Sequence, residues 1–214
     1  MISILMTPCN DIKTFQRQVE TVGSTIGTEY EILCTLIRGD PMIEWFLEYC
    51  GKNNIRNMQV PDLGYTTLTN ILAARAYGQY VYYLTPTTVI DPQEKDWGKT
   101  AISLLSFADK IGGVLLSLKP NDLQCNALLL TQKAYNVLGY YTLPLFETSL
   151  YGARWNASIL TELKRLVNMP CGIQYGEIAN TEGYATDKSM YDVTRTGRMN
   201  AMARLQQFME VTDD

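Results

Sequence analysis

The sequence contains no histidine. That absence excludes Ser-His-Asp and Cys-His catalysis, histidine-ligated metals and a histidine general base. Asp or Glu becomes the first choice for any proton transfer, ahead of Tyr, Lys or Cys. Cysteine is scarce and scattered: Cys9, Cys34, Cys50, Cys125 and Cys171 form no C-x-x-C pair. An odd, dispersed set argues against a disulfide framework or a zinc site. Cys9 and Cys34 lie in or beside apolar runs, where cysteine behaves as a small hydrophobe. No run of Lys or Arg exists, and 18 basic against 22 acidic residues leave a net charge of -4. Nucleic acid is a poor partner for such a chain, because neutralising phosphates needs clustered cations. Long hydrophobic runs are missing as well. Ile2–Met6 has no basic residues before it and is too short for a signal peptide. No later stretch approaches the roughly 20 residues of a membrane span. These absences fit a soluble protein of the cytoplasm with no membrane span.

What is there is an ordinary globular composition, 46% hydrophobic and 19% charged. It suits one domain over residues 1–214 with a sizeable core. Ile2–Met6 reads as a strand ended by Thr7-Pro8-Cys9-Asn10. Asp11 caps a helix whose apolar positions Ile12, Phe15, Val19 and Val22 recur at three and four residues. Tyr30–Ile37 is a second strand closed by Arg38-Gly39-Asp40-Pro41, and Asp-Pro starts a helix over Met42–Cys50. Ile55–Val60 is a third strand ending at Pro61-Asp62-Leu63-Gly64, followed by a helix from Thr66 to Tyr77 that Gly78 stops. Tyr80–Leu84, β-branched and aromatic, is a buried strand ending in Thr85-Pro86-Thr87-Thr88. Beyond it the pattern predicts a helix at Trp97–Phe107, strands at Gly113–Leu118 and Ala127–Leu130, and a helix at Ala153–Val167. A loop at Asn180–Thr186 and a final helix at Thr196–Met209 close the chain. Alternating strands and helices predict an α/β fold, a doubly wound and mostly parallel sheet flanked by helices. Ligands of such sheets bind outside the carboxyl ends of the strands. The loops that matter are therefore Thr7–Asn10, Arg38–Pro41, Pro61–Gly64 and Thr85–Thr88.

These loops, in this order, resemble the GT-A fold of family-2-type glycosyltransferases. Ile2-Ser3-Ile4-Leu5-Met6-Thr7-Pro8-Cys9-Asn10 resembles that family's first strand and its Pro-Thr-Tyr-Asn loop, with Thr and Pro exchanged, and Tyr30-Glu31-Ile32 the start of its second strand. Gly64, Asn70, Ala76, Gly78 and Tyr80 stand at the separations of the family's Gly, Asn, Ala, Gly and aromatic residue. Pro92 also matches. Asn126 to Leu130, then Tyr135, Leu138 and Gly139, resemble the acceptor-side strand and the helical turn after it. The resemblance spans roughly residues 2–167 and is specific around 60–92.

It implies a glycosyltransferase that passes a sugar from a UDP-type nucleotide sugar to a hydroxyl of a glycan, protein or small-molecule acceptor. Residues 170–214 would complete the acceptor side. The implied donor site comprises Thr7, Pro8, Cys9, Asn10, Asp40, Asp62, Gly64, Thr85 and Thr87. Asp40 stands where the family binds ribose or base, and Asp62 where a polar residue meets the nucleobase. A strand-to-helix loop such as Thr7–Asn10 offers backbone N–H groups to an anion. The chain departs from the family at its metal motif, because Thr85 and Thr87 replace the Asp-x-Asp pair that holds Mn²⁺ or Mg²⁺. Neutral hydroxyls bind a hard cation poorly. Asp91 is a shifted metal candidate, and Arg38 and Lys119 are cations placed to offset a diphosphate. No carboxylate precedes the helix at 153–167 directly; Glu147, after apolar Leu145 and Phe146, is the candidate base. Trp97 and Trp155 are either stacking platforms or core residues. The missing aspartates also admit a GT-A-shaped binding module without chemistry. A sugar nucleotidyltransferase would want a Gly-rich basic loop after the first strand, which Thr7–Asn10 is not.

Overall fold

A computed structural model describes residues 1–8, 11–105, 111–117, 127–146, 149–175 and 181–212. The chain begins with β1 (Ile2–Met6), every residue of it buried. Asp11 caps α1 (Ile12–Thr25) by accepting the Lys13 N–H at 3.0 Å, and β2 (Tyr30–Ile37) follows. Asp40 accepts the Met42 N–H at 2.7 Å just before α2 (Ile43–Lys52). Next come β3 (Arg56–Val60), α3 (Tyr65–Ala73), β4 (Tyr80–Leu84) and the short β5 (Thr88–Ile90). The middle of the chain holds α4 (Trp97–Leu104), β6 (Gly113–Ser117), β7 (Leu128–Thr131) and α5 (Gln132–Leu138). It ends with α6 (Ser149–Glu162), β8 (Leu166–Pro170), β9 (Ile173–Tyr175), α7 (Thr181–Val193) and α8 (Arg195–Thr212).

Seven strands form one sheet in the order β3-β2-β1-β4-β7-β6-β8, while β5 and β9 pair antiparallel as a separate ribbon. β3, β2, β1 and β4 are mutually parallel; β7 alone runs against its neighbours β4 and β6. Both faces are covered, as the buried strands require. Strand alternation sends Ile2, Ile4, Met6, Ile32, Cys34 and Leu36 to one face, against Phe15 and Val22 of α1, Phe46 and Cys50 of α2 and Trp97 of α4. It sends Leu5, Leu33, Val81 and Tyr83 to the other, against Leu72 of α3, Ala134 of α5, Trp155 and Ile159 of α6, and Leu205 of α8. Each fully buried large apolar side chain contributes roughly 1.5–3 kcal/mol.

Several boundaries differ from those expected, each for a local reason. The helix expected over 153–167 begins earlier and ends at Glu162. Lys164 turns left-handed (φ 57°), and the apolar Leu166–Pro170 then pairs in parallel with β6 as a strand. Tertiary pairing overrode a helical reading of an ambiguous apolar run. The helix expected to reach Tyr77 stops at Ala73, and Gly78 is no helix cap. It lies so close to β1 that a Cβ would come within 2.6 Å of Ser3 Oγ. The stretch read as a loop at Asn180–Thr186 is helical from Thr181, and the last helix runs from Arg195 to Thr212. α4 ends at Leu104, short of the expected Phe107, which lies outside the described residues, as do Leu118 and Asn126. Among the described residues no helix is long and apolar enough to cross a membrane.

Candidate functional site

Parallel pairing decides where the predicted loops emerge. Met6 stands opposite both Cys34 and Leu84, and Ile37 opposite Val60, so β1, β2, β3 and β4 end at one rim of the sheet. Thr7, Asp40, Asp62 and Thr85 each follow one of these ends. The rim is also stitched together beneath its surface. Arg38 N–H donates to Val60 O at 2.8 Å, joining the β2 and β3 exits, while the Arg38 side chain is exposed.

One hollow gathers residues from two of the loops. Pro8 and Asp40 line it together with Thr35, Leu36 and Ile37 of β2 and Ile43 and Phe46 of α2. Thr35 is 1% exposed, and its hydroxyl has no hydrogen-bond partner among the described residues. Strand alternation turns the Thr35 side chain to the face that holds Leu33, away from Ile43 and Phe46, so Thr35 borders the hollow without aiming its hydroxyl into it. The hollow itself, about 10 Å³, has room for one water.

A second set of contacts links the first loop to the third. The Thr7 hydroxyl meets the Tyr83 hydroxyl, and the Tyr83 ring packs edge-on against Tyr65 with centroids 4.9 Å apart. Burial pushes the Tyr83 phenol well above its ordinary value, so it stays neutral and works as a hydrogen-bonding group. Tyr65 opens α3 directly after Gly64, which needs its glycine because φ is +73°. Asp62 is exposed and accepts the Gly64 N–H at 3.2 Å, an Asx turn that shapes the loop. Asn70 of α3 ties this corner to the acceptor-side segment. Its Oδ1 accepts the N–H groups of Tyr141 (2.8 Å) and Thr142 (3.0 Å), and its Nδ2 donates to Thr142 O at 2.7 Å. The Thr66 hydroxyl donates to Phe146 O, which brings the chain to the residue before Glu147 at the start of α3.

The threonines after β4 differ from each other. Thr85 is buried and shares a hydrogen bond of 2.5 Å with the Thr88 hydroxyl, whereas Thr87 is exposed, its hydroxyl 3.4 Å from that of Thr85. Gln18 of α1, buried on the helix's apolar stripe, clamps this turn by donating to Thr85 O at 2.8 Å and Thr88 O at 2.7 Å. Sequence reasoning missed Gln18, Tyr65 and Tyr83, although a polar residue in register with Phe15 and Val22 was the signal for the first. Asp91 stands at the far end of β5, roughly 10 Å of strand from the threonines. Its Oδ1 accepts the Gln93 N–H at 2.9 Å. Cys171 is buried nearby, its thiol pushed up to about 12 by burial and the Glu94 and Asp91 charges.

A divalent metal does not fit this donor set. Thr85 and Thr87 carry no charge, and among the described residues no three His, Cys, Asp or Glu side chains stand together as a metal site. Trp97 and Trp155, each 2% exposed, belong to the core: Trp97 Nε1 donates to Thr25 Oγ1 at 3.0 Å, and Trp155 Nε1 to Tyr140 OH at 3.1 Å. Neither ring is a stacking platform. Cys9, Asn10, Lys119 and Glu147 lie outside the described residues.

No family model matches the sequence, and no curated protein matches it significantly. Solved structures do resemble the fold. TarS 1-349 of S. aureus in complex with UDP shares 12% identity over 90% of this chain and 64% of its own, with a TM-score of 0.63. Its complex with UDP-GlcNAc scores the same. A mannosyltransferase of Pyrobaculum calidifontis, PcManGT, in complex with GDP-Man and Mn²⁺, shares 11% identity over 90% of this chain and 61% of its own, with a TM-score of 0.67. The chain spans only 39% of the longer S. aureus TarS structure. The fold is that of a GT-A-like glycosyltransferase, an α/β domain on a mixed, mostly parallel sheet.

Proposed function

We propose that the protein is a glycosyltransferase that moves a sugar from a UDP-type nucleotide sugar to an acceptor hydroxyl. The observation that carries this reading is the single rim at which β1, β2, β3 and β4 end, so that the loops of Thr7, Asp40, Asp62 and Thr85 share one edge of a GT-A-like sheet. Solved structures of the same fold carry UDP, UDP-GlcNAc and GDP-Man, which supports a nucleotide-sugar donor. Asp40 and Asp62 hold the nucleoside part; the Thr7–Asn10 and Pro61–Gly64 loops flank it. The exposed Thr87 hydroxyl faces phosphate, while Thr85 and Gln18 keep that turn in shape. Glu147 takes the proton of the acceptor hydroxyl as its oxygen bonds to the anomeric carbon and the nucleoside diphosphate departs. The acceptor is a hydroxyl of a glycan, protein or small molecule. Residues 1–214 act as one unit in this scheme, with 170–214 on the acceptor side, in a reducing cytoplasm.

Titration with UDP, with and without Mn²⁺, tests the reading. The wild type is expected to bind, and Asp40→Asn to weaken binding about threefold to tenfold, roughly 0.7–1.4 kcal/mol. Its melting temperature should stay close to the wild type's, because the asparagine oxygen still accepts the Met42 N–H. No UDP binding under either condition sinks the proposal. The burial of Thr85 in a self-satisfied turn favours a second reading, a binding module that has lost its chemistry. UDP binding without donor hydrolysis or sugar transfer would single that reading out.

A further inference from the structure

Two cysteines that lie 16 positions apart in the sequence meet in the core. Cys34 of β2 and Cys50 of α2 place their sulfur atoms 3.5 Å apart, both as free thiols and both fully buried. A disulfide needs about 2.05 Å between sulfurs, so about 1.5 Å separates contact from bond. The two elements already pack here: Phe46 and Cys50, one helical turn apart, both face the core that holds Cys34 and Leu36. Cys50 sits in the last turn of α2, and Gly51, Lys52, Asn53 and Asn54 beyond it are all exposed. The exit of α2 is closed by Asn53 N–H donating to Tyr49 O at 3.1 Å and Ile55 N–H to Cys50 O at 2.9 Å. Fraying of this last turn, which breaks those bonds, is the opening that brings the Cys50 sulfur to solvent.

We infer that Cys34 and Cys50 form a dithiol modification site that closes into an intrachain disulfide on exchange with a small-molecule disulfide such as oxidised glutathione. The hydrogen bond from Cys34 lowers the Cys50 thiol below its ordinary value, while the same bond and burial raise Cys34. Cys50 is therefore the attacking sulfur. Its thiolate displaces one glutathione thiolate and forms a Cys50–glutathione mixed disulfide. Cys34 then gives up its proton and attacks the Cys50 sulfur, expelling the second glutathione. Two protein thiols are oxidised by two electrons, and one glutathione disulfide becomes two glutathione thiols. The product ties the exit of α2 to β2, the two elements that carry Asp40 between them. This assignment stands on the two sulfurs alone and is independent of any nucleotide.

The full chain supplies the test. Trypsin cuts after Arg17, Arg38 and Lys52, so Cys34 and Cys50 fall on separate peptides, 18–38 and 39–52. The protein is incubated with oxidised glutathione at neutral pH, at temperatures rising to the foot of its melting transition, and free thiols are then blocked with N-ethylmaleimide. Without reduction, mass spectrometry should find 18–38 joined to 39–52, a species that dithiothreitol removes and that Cys50→Ala abolishes. The oxidised protein should melt roughly 5–10 °C higher, because the cross-link restricts the unfolded chain. Outright failure is equally readable. If N-ethylmaleimide labels both thiols at a temperature where no joined peptide forms, the sulfurs are reachable but do not bridge, and the assignment falls. Mixed pairing with Cys9, Cys125 or Cys171 overturns it as well.

Discussion

Asn70 illustrates how much one side chain carries. One amide satisfies two backbone N–H groups and one carbonyl at residues 141–142, so α3 and the acceptor-side segment share a single connector. Asn70→Ala leaves three backbone groups short of partners in a half-buried site and should cost about 2–4 kcal/mol, read as a lower denaturant midpoint. Asn70→Asp should also destabilise, because a carboxylate oxygen then faces the Thr142 carbonyl. A variant as stable as the wild type would show that water replaces these bonds. Asn70 was legible as part of a spaced pattern, but its role was not. Spacing along the chain says nothing about which distant backbone an amide reaches.

At the scale of elements, the amino ends of the strands are held by one carboxylate. Glu31, at the start of β2, accepts from Ser3 Oγ of β1 and the Tyr77 N–H before β4, each at 2.6 Å, and from Arg56 of β3 at 2.5 Å. The Arg56 guanidinium also lies 3.9 Å from the centre of the Tyr77 ring. Burial alone would raise the Glu31 pKa, but the bonds from Ser3, Tyr77 and Arg56 outweigh it and hold the carboxyl below its ordinary 4.5. A depressed folded value means that the stabilisation is complete above about 4.5 and fades as pH falls through the lower folded value. Glu31→Gln should therefore be less stable than the wild type at pH 7 and show a shallower loss of stability between roughly pH 5 and 3. Parallel acid profiles would exclude this role for Glu31. The strands themselves were readable from runs such as Tyr30–Ile37 and Tyr80–Leu84. β8 was not, because Leu166–Pro170 acquires its identity only by pairing with β6.

For the whole molecule, the sheet divides two cores. Trp45 and Trp97 report on one, Trp155 on the other. Leu205 of α8, completely buried, belongs to the second core alone. Leu205→Ala should cost about 2–5 kcal/mol. If residues 1–214 fold as one unit, tryptophan fluorescence and far-ultraviolet circular dichroism should shift together in a single transition. Separated transitions would mean that the two faces melt independently.

The sequence alone determined the alternation of strand and helix, the positions of the four rim loops and the chemistry closed to a chain without histidine. These follow from periodicity, turn residues and side-chain inventory, all of them local. Only tertiary structure decided that Cys34 meets Cys50, that Gln18 clamps the Thr85 turn and that Thr85 turns inward while Thr87 faces out. Each of these depends on which elements lie side by side across the sheet. That adjacency is set by the packing of both cores at once and is not contained in any stretch of chain.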